Sequence, residues 1–176
     1  IWAALLASAS FTAMGHVGSA SAEPVKVALI ETLSGGQAVT GKLFQSAVKY
    51  ALEKVNADKA WPDGVQLLEY DNQGGPPEAA DKLKAAINDG AQIIIQGASS
   101  AIGGQITADV QKHNARNPGK EIIYLNYAAV DPALTNEKCS YAHFRLDADT
   151  TMKMEALTSF MKDQPAVKKV FLLNQN

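Results

Sequence analysis

The sequence predicts an α/β fold, an open doubly wound parallel sheet. Three observations carry that prediction. Short β-branched runs alternate with segments whose apolar residues recur every three or four positions. One run, AQIIIQ, is apolar almost throughout, as a strand covered on both faces of a parallel sheet must be. Each run ends in glycine, serine, asparagine or proline, which turn the chain. Strand, helix, strand repeated in this way gives parallel neighbours joined by right-handed crossovers. Ligands of such sheets bind outside the carboxyl ends of the strands.

Val25 to Ile30 (VKVALI) alternates and is the first expected strand. ETLSGGQAVTG reads as a loop, by its three glycines and its hydroxyls. Leu43, Phe44, Ala47, Val48, Ala51, Leu52 and Val55 then recur at helical spacing, which predicts a helix over about 42 to 57 with one apolar face on the sheet. WPDG, Trp61 to Gly64, is a turn. Val65 to Asp71 is the second strand, and the prolines of NQGGPP open the second helix, whose inner face is Ala79, Ala80, Leu83 and Ile87. Asn88-Asp89-Gly90 stops it before the third strand, AQIIIQ. Ile102, Ile106 and Val110 step along a third helix, and Glu121 to Leu125 forms the fourth strand after the break at NPGK. Beyond Leu125 the rhythm changes to a long loop, NYAAVDPALTNEKCSYA. A short strand at His143 to Asp147 follows, then a helix marked by Met154, Leu157, Phe160 and Met161, and a strand that begins in KKVFLLNQN.

At 176 residues the prior is one domain. An apolar share of 47% argues against disorder, and a net charge of −2 with no block of like charges gives no electrostatic basis for binding nucleic acid. Residues 1–22 contain no charged side chain, run apolar from about Trp2 to Met14, and close on Ala20-Ser21-Ala22. They have the form of a secretory signal peptide cut after Ala22, with a buried helix as the plain alternative; the run is too short for a membrane span. A start at Ile1 without a basic n-region, and an end inside a strand, read as truncation at both termini. The single cysteine, Cys139, is expected either as a small buried residue or with a partner outside this sequence.

The stretch QGASSAIGG, 96–104, places Ser99 and Ser100 where a strand turns into a helix. As nucleophiles they lack the second glycine of G-x-S-x-G, and neither His113, at a helix end, nor His143, at a strand start, is placed as their base. No HExxH, CxxC or close histidine pair calls for a metal, and no GxGxxG or GxxxxGK[ST] follows a strand to call for a nucleotide cofactor. Asp71, Asp131 and Asp147 read as turn or cap residues. Seating a small anion needs less. Two hydroxyls and the free N–H groups of a helix start suit a carboxylate, and a serine there also serves as a plain N-cap.

These residues in this order resemble a known family. VKVALIETLSG with its helix ending VN, EYDNQGGPPEAA, NDGAQIIIQGASS, NYAAVDPALT and KKVFLLNQN together are similar to the type I periplasmic substrate-binding proteins of ABC importers, in the branched-chain amino acid (Leu/Ile/Val-binding) group. The resemblance implies two α/β lobes joined by hinge strands, with the ligand between them. It makes residues 23–146 the first lobe including the first hinge strand, HFRLD, and 147–176 the start of a truncated second lobe. It implies that Ser99 or Ser100 bonds the ligand carboxylate, and that Tyr127, Ala128, Ala129 and Val130 line the site. Gln37 and Thr40 would stand on the cleft rim. Family members that bind amino acids carry a hydroxyl residue where Val130 stands, and valine has no hydrogen-bonding group. Amides and aromatic or other organic acids therefore stand beside amino acids as expected ligands. The implied protein is a non-enzymatic, periplasmic receptor that needs no cofactor and hands its ligand to a membrane permease with its ATPase. A ligand-sensing regulator on the same fold is the alternative, and an enzyme on a Rossmann-like sheet the more distant one.

Overall fold

The computed structural model describes residues 23–164, 166–171 and 173. The leader read in residues 1–22 lies outside them. Val25–Glu31 (β1), Val65–Asp71 (β2), Ile93–Gln96 (β3), Ile123–Asn126 (β4) and His143–Arg145 (β5) form one sheet in the order β2-β1-β3-β4-β5. Every pairing is parallel. Ala38–Ala57 (α1), Pro76–Asn88 (α2), Ser100–Arg116 (α3) and Thr150–Lys162 (α4) are the helices, with one 3-10 turn at Pro132–Thr135. The expected doubly wound parallel sheet is present.

The side-chain period of two divides the core between two faces. Ala28 and Ile30 of β1, Ile94 of β3 and Tyr124 of β4 meet Ala79, Leu83 and Ala86 of α2 and Ile102, Ile106 and Val110 of α3. Each of the larger apolar side chains buried here contributes on the order of 1.5–3 kcal/mol by leaving water. The alternate residues Val27 and Leu29, also buried, face the layer that α1 covers with Phe44, Val48, Leu52 and Val55.

Several local expectations are corrected. The first helix begins at Ala38 rather than about 42, and Gly41, read as part of the loop, is its one fully buried residue. A Cβ on Gly41 would stand 1.9 Å from the Thr32 carbonyl oxygen, so glycine is there for close approach to the chain leaving β1 and not to end a helix. Leu43, Ala47 and Ala51, assigned to the inner face of that helix, are exposed; the sheet edge formed by β2 reaches across only the stripe of Phe44, Val48, Leu52 and Val55. The fourth strand is shifted to Ile123–Asn126 by its register with β3, and the fifth stops at Arg145, whose side chain turns back to the loop after β4. Cys139 is exposed instead of buried, because it follows the 3-10 turn in a surface turn in which its N–H bonds Asn136 O. Lys168–Phe171, expected to open a strand, is irregular and exposed; a strand exists by pairing, and none of the described residues pairs with it. Leu172 and Asn174–Asn176 of that expected strand lie outside the described residues.

Candidate functional site

The strand order reverses between β1 and β3. α1 leaves to one face and α3 to the other, which makes the carboxyl ends of these two strands the natural crevice of the sheet. Glu31, the last residue of β1, occupies its floor and is fully buried. Its Oε1 accepts the N–H groups of Gly97 and Ala98, both at 3.2 Å, and its Oε2 accepts that of Thr32 at 3.3 Å. The amides that begin the β3–α3 turn are therefore consumed inside the protein.

What remains open begins one residue later. Ser99 is the N-cap of α3, in extended conformation, and its Oγ accepts the Ile102 N–H at 3.4 Å. The Ser100 Oγ accepts the Asp131 N–H at 3.2 Å. Both hydroxyls act as acceptors within the chain, which leaves each hydroxyl hydrogen to donate outward. The N–H groups of Ser100 and Ala101 have no acceptor among the described residues and carry the positive end of the α3 dipole.

The loop after β4 is set by Asn126, which is buried. Its Oδ1 accepts the N–H groups of Ala128 at 3.2 Å and Ala129 at 2.7 Å, and its Nδ2 donates to Ala129 O at 2.9 Å. Ala129 consequently lies beneath the loop with both backbone groups occupied, while Ala128 and Val130 are half-buried. The same Nδ2 lies 3.3 Å from His143 Nε2, and His143 Nδ1 lies 3.2 Å from Leu134 O. A carbonyl only accepts, so Nδ1 carries the proton and Nε2 accepts from Asn126. Burial pushes the His143 pKa below its ordinary value; Arg145 adds to this and the Leu134 carbonyl opposes it. The ring stacks on Tyr124 at 4.9 Å, and the Tyr124 hydroxyl donates to Gln96 Oε1 at 2.9 Å, so β3, β4 and β5 share one buried polar network under the loops.

Tyr127 lies on the opposite face. Its ring centroid is 4.3 Å from that of Phe44, and it packs so closely on Gly97 that a Cβ there would stand 2.7 Å from the ring and 2.6 Å from Ala128 N. Its hydroxyl is buried without a hydrogen bond. Burial first, and then the negative charge of Glu31, push its pKa up. Gln37 and Thr40 stand exposed at the start of α1, and no side-chain hydrogen bond ties either to the serines.

Sequence reasoning missed the residues that join this loop to α4. Val130 O accepts the Thr150 N–H at 2.9 Å and its Oγ1 at 3.1 Å. Arg145 donates to Asp131 O at 2.9 Å, to Thr135 Oγ1 at 2.7 Å and to Asp149 Oδ2 at 2.8 Å. The side chains of that ion pair are only 5% and 7% exposed. Asp149 in turn caps α4 by accepting the Met152 N–H. Ser100, Val130 and Asp131 on one side and Thr150, Met154 and Glu155 on the other line an open groove of about 660 Å³. The i,i+4 spacing of Arg145 and Asp149 was the available signal, hidden by the absence of a helix between them.

The switch point, floored by the buried Glu31 carboxyl group and edged with the hydroxyls of Ser99 and Ser100 and two free N–H groups, has the donors to seat a small anion. Residues 24–176 match the family described as Periplasmic binding protein, and the chain belongs to that family. It is 50% identical over 173 residues to Leu/Ile/Val-binding protein homolog 4 of Brucella abortus (strain 2308), a match over 97% of this chain and 41% of the relative. The chain thus spans about two fifths of the length of the curated relatives it matches. Among solved structures it is similar to the leucine-, isoleucine-, valine-, threonine- and alanine-binding protein of Brucella ovis in its closed conformation. The TM-score is 0.78 and the identity 53%, over 81% of this chain and 37% of that one. The leucine-binding protein LivK of Thermotoga maritima shares the fold with a TM-score of 0.65 at 20% identity, over 79% of this chain and 37% of that one.

Proposed function

We propose that this chain is the first lobe and the entry to the second lobe of a periplasmic receptor for an ABC importer. Residues 23–146 would be the first lobe, ending in the hinge strand β5, and residues from 147 onward would open the second. The ligand is an amino acid with an aliphatic side chain, its carboxylate seated on Ser99, Ser100 and the free N–H groups of α3. The observation that carries the reading is the donor set at the switch point, in a chain half identical to proteins named for binding leucine, isoleucine and valine. Val130 offers no hydroxyl to the ligand, but its carbonyl already holds Thr150. It therefore serves the joint with α4, and lets an ammonium group be held from elsewhere. Closure of the two lobes on the ligand would present the receptor to its permease and ATPase, since a ligand shifts a hinge equilibrium only by preferring one state.

A thermal-shift panel on the full-length gene product tests this. Leucine, isoleucine, valine, threonine and alanine are set beside aliphatic amides and aromatic carboxylates. A ligand at about 100 times its Kd adds about 2.7 kcal/mol of stability. The expected result is a shift with the aliphatic amino acids and none with benzoate-type acids; the reverse order removes the amino-acid assignment. Replacing both Ser99 and Ser100 by Ala is expected to weaken binding by roughly 1.5–3 kcal/mol, the worth of hydrogen bonds to a charged group. Unchanged affinity in that double variant, measured by calorimetry, removes the carboxylate seat.

A further inference from the structure

We propose that Glu31 is a positioning residue for this seat: its buried carboxyl group, and not packing alone, fixes the turn that presents Ser99 and Ser100. The inference rests on the receptor reading for its functional consequence, but its geometry stands apart from the identity of the ligand.

A strand that ends in glutamate normally sends the carboxyl group into water. Here it turns inward to the one place in the sheet where two crossovers diverge, and it is fully buried. No lysine, arginine or histidine among the described residues forms an ion pair with it. Its partners are three backbone N–H groups, of Thr32, Gly97 and Ala98. A buried carboxyl group is tolerated when its oxygens find donors, and three backbone N–H groups supply them. The arrangement has a mechanical result. Ala98 directly precedes the N-cap Ser99, so holding Gly97 and Ala98 sets the direction in which the chain enters α3. Gly97 is pressed from the other side by the Tyr127 ring and Ala128 N, with no room for a Cβ. The turn is thus held between the carboxyl group of β1 and the loop after β4, the two walls of the crevice. By occupying the Gly97 and Ala98 amides, Glu31 also removes them as anion donors, which leaves the ligand carboxylate the N–H groups of Ser100 and Ala101 and the two hydroxyls. The Tyr127 hydroxyl, buried without a hydrogen bond, belongs to the same floor.

The test compares two side chains of the same length. Glu31→Gln keeps one oxygen where Oε1 accepts both Gly97 and Ala98. Glu31→Met fills the volume and accepts nothing. Calorimetric titration with L-leucine, L-isoleucine and L-valine is run on the full-length wild type and both variants. Amide resonances of Gly97, Ala98, Ser99 and Ser100 are followed in the ligand-free proteins. The expected result is affinity within roughly threefold of wild type for Gln, a loss of roughly tenfold or more for Met, and displaced resonances in Met alone. A Met variant that binds as wild type does, or a Gln variant that falls as far as Met, overturns the inference. Should wild type bind none of the three amino acids, the amino-acid reading fails by itself. The resonances then decide: displacement of Ser99 and Ser100 in Met but not in Gln supports the clamp, and equal spectra overturn it. Should the Met variant not fold, hydrogen exchange at the wild-type Ala98 amide decides, with strong protection supporting the clamp and free exchange overturning it.

Discussion

Two regions of this chain obey the same sequence rules and end differently. Between Val25 and Arg145, the apolar faces of α2 and α3 find partners: they bury six side chains between them against the sheet, and Ile30, Ile94 and Tyr124 are shielded completely. From Thr150 to Lys162, α4 has a proper N-cap and an apolar stripe, yet no buried residue; Leu157 is 49% exposed and Phe160 64%. The first region shows an amphipathic pattern with its cover, the second the same pattern without it among the described residues. A helix pattern specifies a helix, and only a second layer turns that helix into core.

The two regions are joined by one buried ion pair, so the largest expected effect is there. Arg145→Ala leaves the Asp149 carboxylate with no countercharge, and it frees Asp131 O and Thr135 Oγ1 as well. Breaking a buried pair from one side costs about 3–5 kcal/mol. Urea unfolding checks the value. A cost below about 1 kcal/mol would break the comparison, because α4 would then be tethered by the chain and the Thr150–Val130 hydrogen bonds without the ion pair. Next in size is a matched pair of truncations. Leu83→Ala, in the covered region, is expected to cost about 2–5 kcal/mol. Leu157→Ala in this 176-residue polypeptide is expected to stay within about 0.5 kcal/mol, as exposed positions do. The same substitution in a polypeptide extended to the length of its relatives sharpens the comparison. A cost there near that of Leu83→Ala means that further residues cover α4.

The difference between the regions also marks what was legible in the sequence. Strand and helix alternation is written in local periods, so β1 to β4 and α1 to α3 were readable with their order and their parallel sense. The serine turn was readable too, as a hydroxyl pair at a strand-to-helix boundary. Illegible were the ties between segments distant in sequence. Glu31 reaches residues 66 and 67 positions away, and Asn126 meets His143 across 17 positions. A glutamate at a strand end and a histidine at a strand start look solvated until the sheet order brings their partners beside them. Gly41 was misread for the same reason, since the carbonyl that demands it belongs to the loop behind the helix. The missed residues of the site, Arg145, Asp149 and Thr150, act across the joint, where no period runs.

The smallest expected effect is one of pH, and it should divide the two regions cleanly. His143 has its pKa lowered from 6.5 by burial, so the folded state favours the neutral ring. Above pH 6.5 the ring is neutral folded or unfolded, and its contribution to stability is full. As pH falls below 6.5 the unfolded chain takes up a proton that the folded chain resists, and stability declines until the lower folded pKa is reached. Protonation in the folded state places a second N–H at Nε2, facing the Asn126 amide donor, and loosens the residue that holds Ala128 and Ala129. Affinity for the ligand is therefore expected to fall only at the acid end of that window and below it, where the folded ring itself takes up the proton. At the entry to α4 the titrating group is Asp147, held below its ordinary 3.8 by the hydrogen bond from Lys153. Its contribution is present above 3.8 and is lost only as pH falls further, so this second region stays silent where His143 responds. Urea midpoints of wild type and His143→Gln from pH 7.5 to 5.5 check the assignment, because all other groups are common to both proteins. Parallel curves would take His143 out of the account; a wild-type curve that falls away from the variant below pH 6.5 locates the acid sensitivity beneath the loop after β4.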